Sequence, residues 1–127
     1  TTSFSANVSS GTYYVRVRAT NDHGESDPTA DLVLVAPGAP NAPSGLFATG
    51  AGNNVDLRWV APAGGFAATS YVIEAGSAPG LSDIGRFPIG NVLKFSTVAP
   101  SGVYYVRVRG VNNSGPGEPS NEIIVRR

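Results

Sequence analysis

The chain contains no cysteine and no methionine, and it has a single lysine (Lys94), a single histidine (His23) and a single tryptophan (Trp59). Without cysteine there is no disulfide framework, no thiolate metal site and no cysteine nucleophile, and the redox compartment cannot be read. Without methionine there is no start residue, so the chain is expected to be a segment of a longer protein. Charge is scarce as well: charged residues make up 14% of the chain, against roughly 25% in ordinary globular proteins. The nine basic and nine acidic residues cancel, which leaves no electrostatic footprint for nucleic acid or an anionic membrane. Helix surfaces need Glu, Lys and Gln, yet there are four Glu, one Lys and no Gln, so propensity argues against a mainly helical protein. No apolar run reaches the ~20 residues of a bilayer span. No basic stretch with an apolar core opens the chain, so neither a membrane span nor an export signal is expected within these residues.

What fills the gap is Gly (16), Pro (10), small polar residues and Val, a composition of strands joined by many turns. The chain also repeats itself. Phe4-Ser5 through Ser10-Gly11-Thr12-Tyr13-Tyr14-Val15-Arg16-Val17-Arg18 recurs as Phe95-Ser96 through Ser101-Gly102-Val103-Tyr104-Tyr105-Val106-Arg107-Val108-Arg109, an offset of 91 positions. The register holds without a gap from Ala36 against Arg127 back to Phe4 against Phe95, and it matches Asn21 with Asn112, Gly24 with Gly115 and Pro28 with Pro119. Such a period is too long for a solenoid unit and suits a small domain repeated along a chain. The expected organisation is the C-terminal part of one domain over 1–36, a Pro-rich linker over 37–43 and a complete domain over 44–127. The linker has a proline at 37, 40 and 43, which favours an extended, semi-rigid backbone.

Within the complete unit, strand signals alternate with turn chemistry. Residues 44–49 read as a first strand, closed by Gly50-Ala51-Gly52-Asn53-Asn54. Val55-Asp56-Leu57-Arg58-Trp59 alternates apolar and polar residues, so Val55, Leu57 and Trp59 should face inward. The third strand covers 70–75, with Tyr71 and Ile73 as its core residues. Beyond a loop rich in Gly, Ser and Pro come strands near 86–89, 92–97, 102–111 and 122–126. Seven short antiparallel strands suit a two-sheet sandwich, with a barrel as the alternative.

At these residues the chain resembles the fibronectin type III domain. The resemblance rests on Leu57-Arg58-Trp59 in the second strand, on Tyr71-Val72-Ile73-Glu74 in the third, and on Pro100, Gly102, Tyr104-Tyr105-Val106-Arg107-Val108 and Asn112. The first copy repeats the last set as Tyr13-Tyr14-Val15-Arg16-Val17 and Asn21. The resemblance implies an all-β, seven-stranded antiparallel immunoglobulin-like sandwich, preceded by the last three strands of another copy. Trp59, Leu57, Tyr71, Tyr104 and Tyr13 are its structural signature. It further implies a non-catalytic extracellular or cell-surface module that acts as a spacer in a tandem array of a large exported protein. The run 74–83, together with Pro119-Ser120-Asn121-Glu122, looks like bacterial versions of the family.

Catalysis needs a nucleophile beside a base, converging carboxylates or a metal. His23 aligns with Ser114, so its role, if any, is missing from the complete copy. Asp22, Glu25, Asp27 and Asp31 lie close in sequence but lack the ligand series of a calcium loop. No catalytic, cofactor or metal residue is assigned, and no cofactor is expected. Asn7-Val8-Ser9 and Asn112-Asn113-Ser114 fit the glycosylation pattern, although a turn role suits Asn112 better.

The one suggestive polar feature is a stripe of Tyr105, Arg107 and Arg109, repeated as Tyr14, Arg16 and Arg18. Alternation with Val places it on the solvent face of a strand. With Phe87 it forms a candidate partner or ligand face, since Tyr and Arg are enriched in binding hot spots. The structural reading sets Arg107 or Arg109 beside Glu74 in a cross-strand ladder. Expected partners are neighbouring domains or other protein chains. Two alternatives are a carbohydrate-binding accessory domain, using Tyr105, Phe87 and Phe66 as aromatic platform, and a filament or virion surface subunit self-associating through the incomplete unit. Because 1–36 supplies only part of a sandwich, Val15, Val17, Leu32 and Leu34 are expected to be covered by another domain or chain.

Overall fold

The computed structural model describes all 127 residues, and the chain forms two compact units, Thr1–Gly38 and Ala39–Arg127. It contains strands and turns and no helix.

The first unit is a long hairpin. Strand β1 (Gly11–Val15) pairs antiparallel with β4 (Leu32–Ala36), and between them β2 (Thr20–Asn21) and β3 (Gly24–Glu25) form the hairpin tip. Residues 1–9 form no strand, so this unit holds two long strands and a tip in place of the three strands expected. The reason is visible in the complete unit, where the strand that corresponds to 3–7 is hydrogen-bonded to a strand with no counterpart in 1–38. A strand without a partner leaves its backbone groups to water.

The second unit continues with β5 (Ser44–Thr49), β6 (Asn54–Val60), β7 (Ser70–Gly76), β8 (Gly85–Ile89), β9 (Lys94–Val98), β10 (Val103–Asn112), β11 (Gly115–Pro119) and β12 (Ile123–Arg126). One sheet has the order β5-β6-β9, and the other has the order β11-β10-β7-β8 with β12 also paired to β10. Strands β11 and β12 are the two halves of one return path along β10, which is broken over Ser120, Asn121 and Glu122. The two sheets face each other across Leu46, Val55, Leu57, Trp59, Tyr71, Ile73, Val106, Val108 and Val125. Trp59 and Tyr71 meet edge to face with ring centroids 5.6 Å apart, an arrangement favoured by the ring quadrupoles. Gly50 turns the chain from β5 into β6 at φ 113°, where a Cβ would run into the Asn54 carbonyl. Only glycine fits there.

The Pro-rich segment belongs partly to this sandwich. Pro40 and Pro43 are buried, and the Pro40 backbone lies so close to Gly117 that a Cβ at 117 would overlap the Pro40 carbonyl oxygen. Residues 39–43 are therefore a strap packed on the second unit, and the free linker expected over 37–43 is shortened accordingly. Proline's missing N–H and fixed φ suit an extended strap that needs no ladder partner on that side.

Candidate functional site

Strand parity decides what the outer face of the larger sheet presents. Arg107 lies opposite Glu74, which lies opposite Arg86, while Arg109 lies opposite Val72, which lies opposite Pro88. On the other side of β10, Tyr105 lies opposite Ile124 and Val103 opposite Arg126. These residues share the face turned away from the core, since Val106 and Val108 point inward.

At the centre sits Glu74, which is only 4% exposed. Its Oε1 accepts from Arg107 Nε at 2.8 Å and from Arg109 Nε at 2.7 Å, and its Oε2 lies 3.0 Å from Arg86 Nε. Burial alone pushes the Glu74 carboxyl up. The hydrogen bonds from Arg109 and Arg107, with their charges, outweigh burial and hold it below the usual carboxylate range. Arg109 also donates from Nη1 to the Gly117 carbonyl at 2.9 Å. The result is a charge cluster laid across β8, β7, β10 and β11.

The structure treats the candidate residues differently from one another. Arg107 and Arg109 converge on Glu74, with Tyr105 half-buried next to them on the same face. Phe87 is not part of that face. It pairs with Ile73 and therefore points toward the space between the sheets, where it lines an apolar cleft of about 280 Å³ with Ile84, Phe95, Val98 and Tyr104. The sequence reading places Phe87 outward with Tyr105, but no local pattern fixes the parity of β8, and a shift of one residue exchanges the faces. An outward platform of Tyr105 and Phe87 is thereby lost.

In the first unit Tyr14 is exposed, Arg18 donates to the Ser26 carbonyl at 3.3 Å, and no salt bridge includes Arg16 or Arg18. Val15 is 40% exposed and Val17 65%, whereas their counterparts Val106 and Val108 are 6% and 0% exposed. Leu32 and Leu34 are likewise exposed. This corrects the expectation that these four side chains are covered: the hairpin has no second sheet within its own unit to face. Asp22, Glu25, Asp27, Asp31 and His23 do not gather into a group able to hold a metal ion.

Two features escaped the sequence reading. Arg86 is the third cation on Glu74, and its alternation with Phe87 was the only available signal. Asn121 bridges the sheets, its Oδ1 accepting from the Leu46 N–H and its Nδ2 donating to the Leu46 carbonyl, both at 2.9 Å. The side-chain amide thus serves as one rung of a β-ladder between β12 and β5. Tyr104 donates its hydroxyl to the Pro100 carbonyl at 2.8 Å, the geometry of a tyrosine corner.

A sandwich of these two antiparallel sheets, closed by a tyrosine corner, is an immunoglobulin-like β-sandwich. No family model matches the sequence. The crystal structure of the chicken CNTN1 FN1–FN3 domains superposes with a TM-score of 0.60 at 21% identity, covering 92% of this chain and 43% of that one. The FN5 domain of Drosophila Lar superposes with a TM-score of 0.56 at 23% identity, covering 68% of this chain and 95% of that domain. The chain has the fibronectin type III fold. In sequence it is 33% identical over 118 residues to human Protein sidekick-1, a match that covers 87% of this chain and spans 5% of the length of that relative.

Proposed function

We propose that this chain is a stretch of a tandem array of fibronectin type III domains in an extracellular or cell-surface protein, where it acts as a non-catalytic spacer and interaction module. The partial domain covers 1–38 and the complete one 39–127. The observation that carries this reading is the 91-residue repeat, in which the register of β1 on β4 is reproduced by β10 on β12. Two copies of one hairpin at a fixed spacing are what an array of like domains requires. The partners of such a module are its neighbouring domains and other protein chains. The proposal holds for a bacterial or an animal parent, and the relatives named above are animal proteins.

Small-angle scattering from segments of the parent protein that hold two, three and four repeats tests the spacer role. The expected result is an elongated particle whose maximum dimension grows in proportion to repeat number. A compact particle of constant proportions would overturn it. Antibody accessibility on intact cells tests location, and a signal seen only after permeabilisation would overturn the surface assignment.

A further inference from the structure

The geometry points to an anion-binding site on the outer face of the five-stranded sheet, in which Arg86, Arg107 and Arg109 take the carboxylates of an acidic peptide segment of a partner protein. It rests on the reading of the domain as an interaction module and names the chemistry of its partner.

The case begins with charge balance. All three salt bridges of the domain end on one carboxylate, Glu74. A structural ion network needs about as many anions as cations, and here one anion serves three cations. The wider face adds Arg126 from β12 and Glu122 just before it. The Glu122 carboxylate is turned to the Gly80 N–H at 2.9 Å, and Glu118 is exposed on the adjoining β11, so four arginines stand against three carboxylates and a surplus of one positive charge remains. Such a surplus on a sheet face steers and orients acidic partners.

Donor geometry agrees. Each of the three guanidinium groups meets Glu74 through Nε. The Nη groups of Arg86 and Arg107 take no protein acceptor, and Arg109 uses only Nη1, on Gly117. A guanidinium held by Nε keeps its planar fork fixed and leaves Nη donors not engaged by Glu74, the donors that pair with a carboxylate in bidentate fashion; Arg107 and Arg109 offer theirs from side chains 16% and 23% exposed. Buried Glu74 thus preorganises cations that would otherwise repel one another, so a ligand need not order them on arrival. Arg86 is the accessible member, with its side chain 52% exposed.

The surroundings favour a peptide over a simple inorganic anion. Tyr105, Ile124 and Val103 lie on the same face, and Val103 and Ile124 are exposed. A peptide bearing acidic and apolar side chains covers both parts of this surface, while a small anion covers only the cations.

The test is fluorescence anisotropy of a labelled oligoglutamate peptide titrated with the 127-residue chain at low and at physiological ionic strength, with an oligoserine peptide and inorganic sulfate as comparison probes. Oligoglutamate is expected to bind, to weaken as salt rises, and to weaken roughly fivefold in Arg86→Gln, the loss of about one ionic contact. Arg107→Gln is expected to weaken it further. Arg86→Gln removes a half-exposed side chain, so thermal melts of that variant keep the reading clear if Arg107→Gln is unstable. Failure of oligoglutamate to bind at low salt overturns the proposal, as does binding to Arg86→Gln at wild-type strength. Sulfate binding as tightly as the peptide overturns the peptide assignment. None of these outcomes alters the dependence of particle length on repeat number, so the array reading is judged separately.

Discussion

Residues 11–36 and 102–127 are the same hairpin in two settings, one with a second sheet to face and one without. Four hydrogen bonds that involve a side chain survive in both. Tyr13 donates to the Ser9 carbonyl at 2.7 Å as Tyr104 does to Pro100 at 2.8 Å. The Val17 N–H reaches Thr29 Oγ1 at 3.0 Å as the Val108 N–H reaches Ser120 Oγ at 2.9 Å. Asn21 Oδ1 accepts the His23 N–H as Asn112 Oδ1 accepts the Ser114 N–H, both at 2.8 Å. Arg18 and Arg109 each donate to a carbonyl eight residues on. All of these lie within the hairpin and the two residues that precede it. What differs between the copies depends on partners outside it: the burial of Val106 and Val108, the Glu74 cluster, and the bridge to Leu46 from Asn121, which is Ala30 in the partial copy. The hairpin therefore encodes its own strand pairing, corner and turn, whereas the partner sheet and the strands beside it supply burial and charge compensation.

Editing the complete copy toward the partial one measures each long-range contribution, and the largest is expected at Glu74. Replacing it by Gln leaves Arg86, Arg107 and Arg109 together without their anion. Breaking a buried ion pair in this way costs about 3 kcal/mol, the lower end of the usual range because the arginines keep some solvent. The pH dependence has a definite sign. The Glu74 pKa is depressed in the folded state, so its stabilising contribution is fully present above the unfolded carboxyl value, about 4.3, and is lost as pH falls through the folded value below it. Denaturant unfolding of wild type and Glu74→Gln across that range should show the gap between them narrowing with acid. A gap that stays constant to the lowest pH would remove the ionic explanation.

Asn121 is next. Its counterpart in the partial copy is Ala30, so Asn121→Ala reproduces a difference that already exists between the two. The substitution leaves the Leu46 N–H and carbonyl without partners at a mainly buried site, which costs about 2 kcal/mol. Amide exchange at Leu46 should accelerate more than exchange within β10, because the ladder from β10 to β7 does not depend on the bridge. Equal acceleration at both places would mean that the bridge is part of the global fold and not a local clasp.

How far the sequence carries a reader follows the same division. The alternation of Val55, Leu57 and Trp59 and the repeated Tyr-Val-Arg-Val run locate strands and inner faces, because side-chain direction in a strand has a period of two and needs only neighbours in the chain to be read. Phe87 defeats this logic: its strand is short and holds Pro88, so the parity is set by pairing with β7, at a register no local pattern fixes. Asn121 is invisible for a related reason, since its partner Leu46 lies 75 residues away and an Asn in a turn has many roles. The strap at Pro40 is hidden because prolines at every third position carry the same local signal whether they bridge domains or pack on one. The surplus of arginine over carboxylate emerges only once Arg86 is placed across from Glu74.

The smallest effect, and the one that bears most directly on what the hairpin holds by itself, is at the two corner tyrosines. Removing the Tyr104 hydroxyl as Tyr104→Phe takes away one hydrogen bond to the Pro100 carbonyl while the ring still packs on the core, so the loss is about 1 kcal/mol in the cooperative unfolding of the second unit. Tyr13→Phe takes away the matching bond to Ser9 in a hairpin with no buried core around it. Its effect should fall on local order alone: loss of protection around residues 9–13 by amide exchange, with no change in the unfolding midpoint of the second unit. A shift of that midpoint by Tyr13→Phe would show that the hairpin is held by more than its own hydrogen bonds.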